Sequence, residues 1–425
     1  MNKTFVLKRL IPVTVCLVMV ITVAAVFCIK AGFPGSYAAQ AADLMDGILP
    51  GDVSGKPADD DFTVSMADFS VELFKKSIKD RENSLISPLS VTLALSMTAN
   101  GAHGETLAQM EQLLGGSIPL DELNRYLYSY VKELPGNEKA KLNIANSIWF
   151  RDDESLSVQP DFLQTNADYY GAAAYKSAFD QNTLRDINNW AEDKTDGMID
   201  SILYEIDDDA VLYLINAIAF DAEWENVYNL SDVYEADFTD INGSIMQTEF
   251  MCSEEYRYLD DGRATGFLKP YAEGQYNFAA LLPNEDVAIE DYVATLTGAE
   301  LINTINDAED ITVFASLPKF SYEYAILMND ALESLRIPDA FDGDLADFKK
   351  MATSTRGNIF IGRVIHKAFI SVDELGTKAG AATMVQMECG GMPEGKTVQL
   401  DRPFVYAIVD NTTGLPVFIG TVMTV

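Results

Sequence analysis

The chain has 425 residues, of which 48% are hydrophobic and 22% charged, a composition typical of a globular protein with a large core. Its 65 acidic and 30 basic residues give a net charge of -35, which argues against nucleic acids and anionic membrane surfaces as partners, because both are bound through clustered Lys and Arg. Four cysteines in a chain of this length do not form a disulfide framework.

The first 42 residues have the pattern of an export signal. Basic residues precede an uncharged apolar run over 10–29, and small residues in an A-x-A-like pattern follow it. The run is also long enough to span a bilayer, whereas Phe27 before Cys28 is too large for a lipoprotein processing site. We therefore expect an exported protein that is secreted after removal of residues 1–42. The alternative is a cell-surface protein that is anchored by a retained N-terminal segment.

Beyond the signal, residues 43–60 are rich in Gly, Pro, Ala and Asp and predict a flexible linker. Apolar residues then recur at helical spacing, which predicts amphipathic helices around 66–74, at 105–114 and at 120–134. Further apolar segments predict strands at 142–150, 210–220, 266–271, 278–283 and 368–372, and a helix at 328–335. The strand at 210–220 is almost wholly apolar, as expected for a strand that is covered on both faces.

The segment from Thr377 to Thr383 follows a Glu-x-Gly turn, and six of its seven residues are Ala, Gly or Thr. Such a run has little side-chain bulk to anchor it in a core, so by itself it indicates an exposed loop. In a strand, Thr377, Ala379, Ala381 and Thr383 would share one face and Lys378 would lie on the other. The segment could therefore slip between two existing strands with few clashes.

A series of short motifs runs along the chain in a fixed order. It comprises Ser87-Pro88-Leu89-Ser90, Gly101-Ala102-His103-Gly104, Asn216-Ala217-x-x-Phe220-x-x-x-Trp224, His366-Lys367-Ala368, the run from Glu374 to Thr383, and Arg402-Pro403-Phe404. Over roughly 360 residues this series resembles the motifs of the serpin family of serine protease inhibitors. The resemblance implies an α+β fold with eight or nine helices around three β-sheets. It places a single domain at 61–425 and an exposed reactive-centre loop at about 374–398.

For the function, the resemblance implies a suicide-substrate inhibitor that a serine protease attacks to form an acyl-enzyme. The cleaved loop would then insert into the central sheet as a new strand and trap the protease as a covalent complex. The hinge implied for this insertion comprises Glu374, Gly376, Thr377, Lys378, Ala379, Gly380, Ala381, Ala382 and Thr383. The alternative is a non-inhibitory serpin-fold binding protein or protease substrate, which Gly380 and a long loop leave open.

Two ways of counting along the loop give different scissile bonds. The spacing found in serpins, counted from the hinge, implies Gly390 on the N-terminal side of the bond, whereas the same comparison counted back from Pro403 implies Met392 there. Because serine proteases rarely cleave before proline, Met392-Pro393 is a poor candidate, which leaves Cys389-Gly390 or Gly390-Gly391. With both counts included, the scissile region comprises Cys389, Gly390, Gly391 and Met392. The small residues on either side of the two remaining candidate bonds suit an elastase-like protease.

The resemblance also implies two structural groups that support the loop. They are a polar cluster at the sheet opening, formed by Ser87, Ser90, Asn216 and His366, and an ion pair at the loop base, formed by Glu374 and Lys319. The cluster would hold the sheet shut or let it part, because buried polar groups must satisfy one another.

The sequence gives no support for an enzyme. Residues 390–397 formally match the phosphate-binding pattern G-x-x-x-x-G-K-[ST], but the segment continues as a strand and only 28 residues follow Thr397, so we take the match as a coincidence. His103 and His366 are the only histidines, and neither lies near a G-x-S-x-G nucleophile elbow. We therefore predict that the protein is not an enzyme and that it needs no metal and no cofactor. The net charge argues against a heparin-like polyanion as well, and we expect a monomer apart from the covalent complex with its target protease.

Overall fold

The largest element of the structure is a seven-stranded β-sheet. The structure is a computed structural model that describes residues 40–134, 138–207, 210–355, 357–377 and 395–425. The described residues belong to one unit, which begins at Gln40.

Nine α-helices and nineteen strands lie in these described ranges. The helices are α1 Asp60–Ser77, α2 Pro88–Ala99, α3 Gly104–Leu114, α4 Leu120–Glu133, α5 Pro160–Tyr170, α6 Gln181–Lys194, α7 Ile289–Thr295, α8 Gly298–Asn306 and α9 Asn329–Ser334. The strands are β1 Ala42–Asp43, β2 Ser84–Ile86, β3 Ala140–Arg151, β4 Leu156–Val158, β5 Ala173–Ser177, β6 Leu212–Glu223, β7 Val233–Thr239, β8 Ile245–Glu255, β9 Arg257–Asp260, β10 Ala264–Pro270, β11 Tyr276–Pro283, β12 Val313–Pro318, β13 Phe320–Leu327, β14 Ala352–Ser354, β15 Arg363–Val372, β16 Gly376–Thr377, β17 Lys396–Gln399, β18 Phe404–Asp410 and β19 Pro416–Val422.

The seven-stranded sheet has the strand order β1-β5-β3-β6-β16-β15-β13, and two further sheets pack with it. A six-stranded sheet has the order β2-β19-β18-β11-β10-β9, and a four-stranded sheet has the order β17-β12-β8-β7. A short ribbon of β4 and β14 is an addition to the three expected sheets. The predicted α+β class and the predicted number of helices are confirmed within the described residues.

Strand β6 shows why the seven-stranded sheet forms the middle of the protein. Ten of its twelve residues are buried. Leu214 and Phe220 point into the larger hydrophobic core, while Tyr213 and Ile215 point into a second core under α6. Because successive side chains of a strand point to opposite faces, a strand between two cores must be apolar throughout.

Helix α2 lies on the larger core and contacts β3, β6 and β19. All twelve of its residues are buried, which is the expected situation for a helix that is apolar on every face. The helix begins at Pro88, which occupies the first helical position, and Ser87 caps it. The Ser87 hydroxyl accepts a hydrogen bond from the Ser90 backbone N–H at 3.3 Å.

The segment 43–60 differs from the flexible linker that its composition predicts. Ala42–Asp43 already pairs with β5 at the sheet edge, Gly51 N–H donates to Asp168 at 2.7 Å, and Lys56 N–H donates to the Arg125 carbonyl at 3.0 Å. Glycine and proline contribute little side-chain surface, but their backbone groups still form hydrogen bonds to a neighbouring surface. The segment therefore lies against α4 and α5 and is part of the folded body.

The export signal predicted at 1–42 lies outside the described residues, apart from 40–42. Among the helices that the structure does describe, none combines the length and the apolar character needed to cross a membrane.

Candidate functional site

The seven-stranded sheet is parted at one end by two residues of the predicted hinge. Gly376–Thr377 forms β16, which pairs with Val372 of β15 on one side and with Ala222 and Glu223 of β6 on the other. Farther along the sheet, β6 and β15 pair directly with each other. Strand β16 therefore begins a path between two strands that are still joined beyond it.

The entry point accepts only small residues. Thr377 is 1% exposed, and its hydroxyl hydrogen-bonds to the Tyr271 hydroxyl at 2.5 Å. At Gly376 an added Cβ would lie 1.9 Å from the Ala222 carbonyl oxygen, so any side chain there would push the strand out of the sheet. The structure thus places the side chain of Thr377 inward, as the alternation of side chains along a strand predicts.

The turn before β16 is held by donors from a single segment, residues 224–228. The Trp224 backbone N–H donates to the Leu375 carbonyl at 2.8 Å, and its indole Nε1–H donates to the Asp373 carbonyl at 2.9 Å. The Tyr228 backbone N–H donates to the Glu374 carbonyl at 2.9 Å. Three consecutive carbonyls at the loop base are therefore fixed in place. We call this segment the hinge clamp.

The ring of Trp224 also stacks on Tyr271 with centroids 4.5 Å apart, and Tyr271 bonds Thr377. The hinge clamp and the buried hinge residue are thus parts of one packed group. The sequence analysis quoted Trp224 only as part of a motif and assigned no role to Tyr271. An aromatic residue at the end of an apolar strand gives no signal of what it will contact.

The predicted ion pair at the loop base is present. Lys319 donates to Glu374 and also to Glu249 at 2.9 Å, and the side chains of Lys319 and Glu374 are each 22% exposed. Burial alone would raise the pKa of Glu374, but the hydrogen bond from Lys319 holds it below its usual value. For Lys319, burial alone would lower the pKa, and the two carboxylates raise it instead.

Replacing Glu374 with Gln should lower the free energy of unfolding by at most about 1 kcal/mol, because the pair is partly solvated and Lys319 keeps Glu249. Chemical denaturation at neutral pH measures this change. Glu122→Gln, which breaks the exposed pair with Lys56, is the matched control. A loss beyond about 3 kcal/mol, the size expected for a fully buried pair, would contradict this account of the loop base.

The four residues of the predicted polar cluster lie together and are at most 1% exposed. Asn216 Nδ2 donates to Ser90, and Asn216 Oδ1 lies 2.8 Å from His366 Nδ1. The Ser87 backbone N–H donates to His366 Nε2 at 3.2 Å. Because Nε2 accepts a hydrogen bond, the ring proton must be on Nδ1, where it is donated to Asn216.

Asn146 is a fifth member of this cluster that the sequence analysis missed. It lies opposite Asn216 in the pairing of β3 with β6, and Asn216 Nδ2 donates to its Oδ1 at 2.5 Å. A polar residue in the middle of a central strand was the available signal, since it needs a partner on the neighbouring strand. The cluster spans β3, β6 and β15, so it joins the strands on both sides of the path that β16 begins.

Several predicted site residues lie outside the described residues. They are Lys378, Ala379, Gly380, Ala381, Ala382, Thr383, Cys389, Gly390, Gly391 and Met392. The roles assigned to them remain predictions. Cys252, one of the two cysteines beyond residue 42, lies in β8 as a free thiol, 3.6 Å from the Ser316 hydroxyl. In the described ranges, no three His, Cys, Asp or Glu side chains converge in an arrangement that could hold a metal ion.

Comparisons with known proteins agree with this geometry. The family model for serpins (serine protease inhibitors) matches residues 64–425. The native-state structure of the thermophilic serpin tengpin is 56% identical, covers 91% of this chain and 100% of its own, and superposes with a TM-score of 0.89. Its latent-state structure, at 52% identity and with 87% of this chain and 100% of that chain covered, superposes less well, with a TM-score of 0.78.

Among curated relatives, leukocyte elastase inhibitor A of Rattus norvegicus is 28% identical over 374 residues, which cover 83% of this chain and 97% of that protein. Serpins are in general inhibitors that interact with target proteases and are not catalysts, although non-inhibitory serpins exist. The predicted serpin fold is confirmed by the tengpin superposition. The chain belongs to the serpin family.

Proposed function

We propose that this protein is a suicide-substrate inhibitor of serine proteases. One observation carries the proposal: Gly376–Thr377 is paired between β15 and β6 at the start of the loop, with Thr377 buried. The residues that follow on the same side in sequence, Ala379, Ala381 and Thr383, are all small. A cleaved loop could therefore extend β16 along the path it has begun.

The chemical steps follow from acyl transfer. The protease serine attacks the carbonyl carbon of the scissile bond, the C–N bond breaks, and the C-terminal piece leaves with the new amine while the loop stays esterified to the protease. Extension of β16 then pairs backbone N–H and C=O groups with β6 and β15. Insertion carries the ester and the attached protease along the sheet before water can hydrolyse the ester.

An elastase-like protease is the target class that we propose. The small residues around Gly390 suit a shallow specificity pocket, and one relative is named as an inhibitor of leukocyte elastase. We further propose that the protein is exported, on the basis of the signal pattern in residues 1–42. We expect it to act as a monomer without a polyanion cofactor, given its net charge of -35.

Mixing the protein with an elastase-like serine protease should give a band of higher mass that survives boiling in denaturing gel electrophoresis. A small C-terminal fragment should be released, and sequencing its first residues identifies the scissile bond. The same protease with its active-site serine blocked is the control and should give neither product, because no ester can form.

Cleavage without trapping has two possible meanings, which thermal melting of the cleaved protein separates. A large rise in melting temperature would show that the loop inserts, and a different serine protease is then the target. No rise would overturn the inhibitor proposal and favour the alternative, a serpin-fold protein that serves as a binding protein or a protease substrate.

A further inference from the structure

A buried ion pair lies beneath the hinge clamp. Lys269 Nζ is 2.8 Å from Glu255 Oε1, and the two side chains are 1% and 7% exposed. Burying two charges costs several kcal/mol, and an apolar pair of similar volume often stabilises a protein equally well. The pair therefore calls for an explanation other than overall stability.

The ammonium group of Lys269 contacts three residues of the hinge clamp. It lies 4.2 Å from the centre of the Tyr228 ring, 5.3 Å from the centre of the Trp224 ring and 3.4 Å from the Asn226 carbonyl oxygen. Cations are attracted to the faces of aromatic rings, more strongly where water is excluded. A single charge thus holds the two residues whose N–H groups fix the loop-base carbonyls.

Glu255 connects the same charge to the other end of the loop. It is the last residue of β8 and lies opposite Val313 of β12, which in turn lies opposite Lys396, the first residue of β17. These three residues form one row across the four-stranded sheet, at the point where the chain returns from the reactive loop. Ser253 also donates to Glu255 at 2.6 Å, which fixes the orientation of the carboxylate.

We propose that the Lys269–Glu255 pair is a positioning element for the reactive loop. The pair connects the hinge clamp, at the start of the loop, to the row that ends at Lys396 of β17, where the chain returns from the loop. The inference deepens the proposed function and rests on it, because a fixed loop base matters most to a loop that must insert in one register. The pair acts through Trp224 and Tyr228 and does not touch the protease.

Three variants test this role. Lys269→Met removes the charge beneath the rings and leaves Glu255 unpaired, and Glu255→Gln removes the carboxylate charge with little change in shape. The double variant Lys269→Met/Glu255→Leu removes both charges together and should keep a melting temperature close to that of the unsubstituted protein. The double variant therefore keeps the test valid if either single variant fails to fold.

The first readout is hydrogen exchange of the backbone amides of Trp224 and Tyr228 in the uncleaved protein, followed by mass spectrometry of the peptide that contains them. The double variant should exchange these amides about tenfold faster, which equals about 1.4 kcal/mol of local protection. The second readout is the number of inhibitor molecules cleaved per protease trapped, which should rise by a similar factor in the double variant.

Leu301→Ala is the matched control, because it creates a cavity at a fully buried residue of α8, outside the hinge clamp. It should lower the melting temperature without changing exchange at Trp224 or Tyr228. Unchanged exchange in the double variant would overturn the positioning role. The exchange experiment needs no protease, so its result stands apart from the inhibitor proposal. Faster exchange in a protein that neither traps a protease nor gains melting temperature on cleavage would refute only the proposed function.

Discussion

Replacing Thr377 with Arg should convert the protein from an inhibitor into a substrate. Thr377 is 1% exposed between β15 and β6, where its hydroxyl bonds Tyr271. An arginine there would bury a guanidinium without an acidic partner, at a cost of several kcal/mol. The hinge would stay outside the sheet, so the ester would hydrolyse before the loop could insert.

We expect the number of Thr377→Arg molecules cleaved per protease trapped to rise at least about a hundredfold, since each 1.4 kcal/mol against insertion is a factor of ten. Titration of the protease with the inhibitor measures this ratio. Melting of the cleaved variant should show no rise, whereas the cleaved unsubstituted protein should show one. Lys378→Ala is the control, because strand alternation predicts that Lys378 lies on the outward face, so that its replacement should change neither result. A Thr377→Arg variant that traps normally would contradict the proposed insertion between β15 and β6.

Acid should destabilise the protein through His366. Burial lowers the pKa of this imidazole from 6.5 to about 4. Nε2 accepts a hydrogen bond from the Ser87 backbone N–H. Protonation of Nε2 would replace this acceptor with a donor, so that two N–H groups would face each other. Because the folded-state pKa is below the unfolded-state value, the stabilisation is complete above about pH 6.5 and is lost as the pH falls towards 4. The difference amounts to about 3 kcal/mol between pH 7 and pH 4.

Chemical denaturation from pH 7 to pH 4 tests this expectation. The free energy of unfolding should fall less steeply in His366→Gln than in the unsubstituted protein, although the variant is less stable at pH 7. His103→Gln is the matched control, since His103 is the other histidine of the chain and its side chain is 58% exposed beside Asp347. Equal slopes for the unsubstituted protein and His366→Gln would show that His366 does not titrate across this range.

The elements that the sequence analysis located are those with a strong local pattern. The helix predicted at 105–114 is α3, and the helix predicted at 120–134 is α4. The apolar run at 210–220 became β6, whose two faces lie in two cores. Such patterns can be read from the chain because burial on one face, or on both, imposes a fixed spacing of apolar residues.

The loop hinge could also be read from the sequence, since small side chains at alternate positions are what a strand needs to enter a sheet. The resemblance, in turn, supplied the members of the polar cluster and of the loop-base pair. How far the hinge has entered is a different matter. Only the tertiary structure showed that Gly376–Thr377 is already paired, because pairing depends on how far β6 and β15 separate.

The contacts of the hinge clamp and of the ion pair beneath it came only from the structure. Lys269 and Glu255 are ordinary charged residues in the sequence, and 95 such residues, the 30 basic and the 65 acidic, give no sign of which two are buried together. Tyr271 likewise shows no local pattern, and Asn146, as a polar residue within a strand, indicates that it needs a partner but not which one. The composition of residues 43–60 predicts a linker where the structure has a packed segment. By itself, the sequence determined the family and the strongly patterned helices and strands, and it predicted the hinge, because each of these depends on neighbouring residues. The tertiary structure decided which distant side chains share a buried charge or a hydrogen bond, because those pairings arise only when strands far apart in the chain are brought side by side.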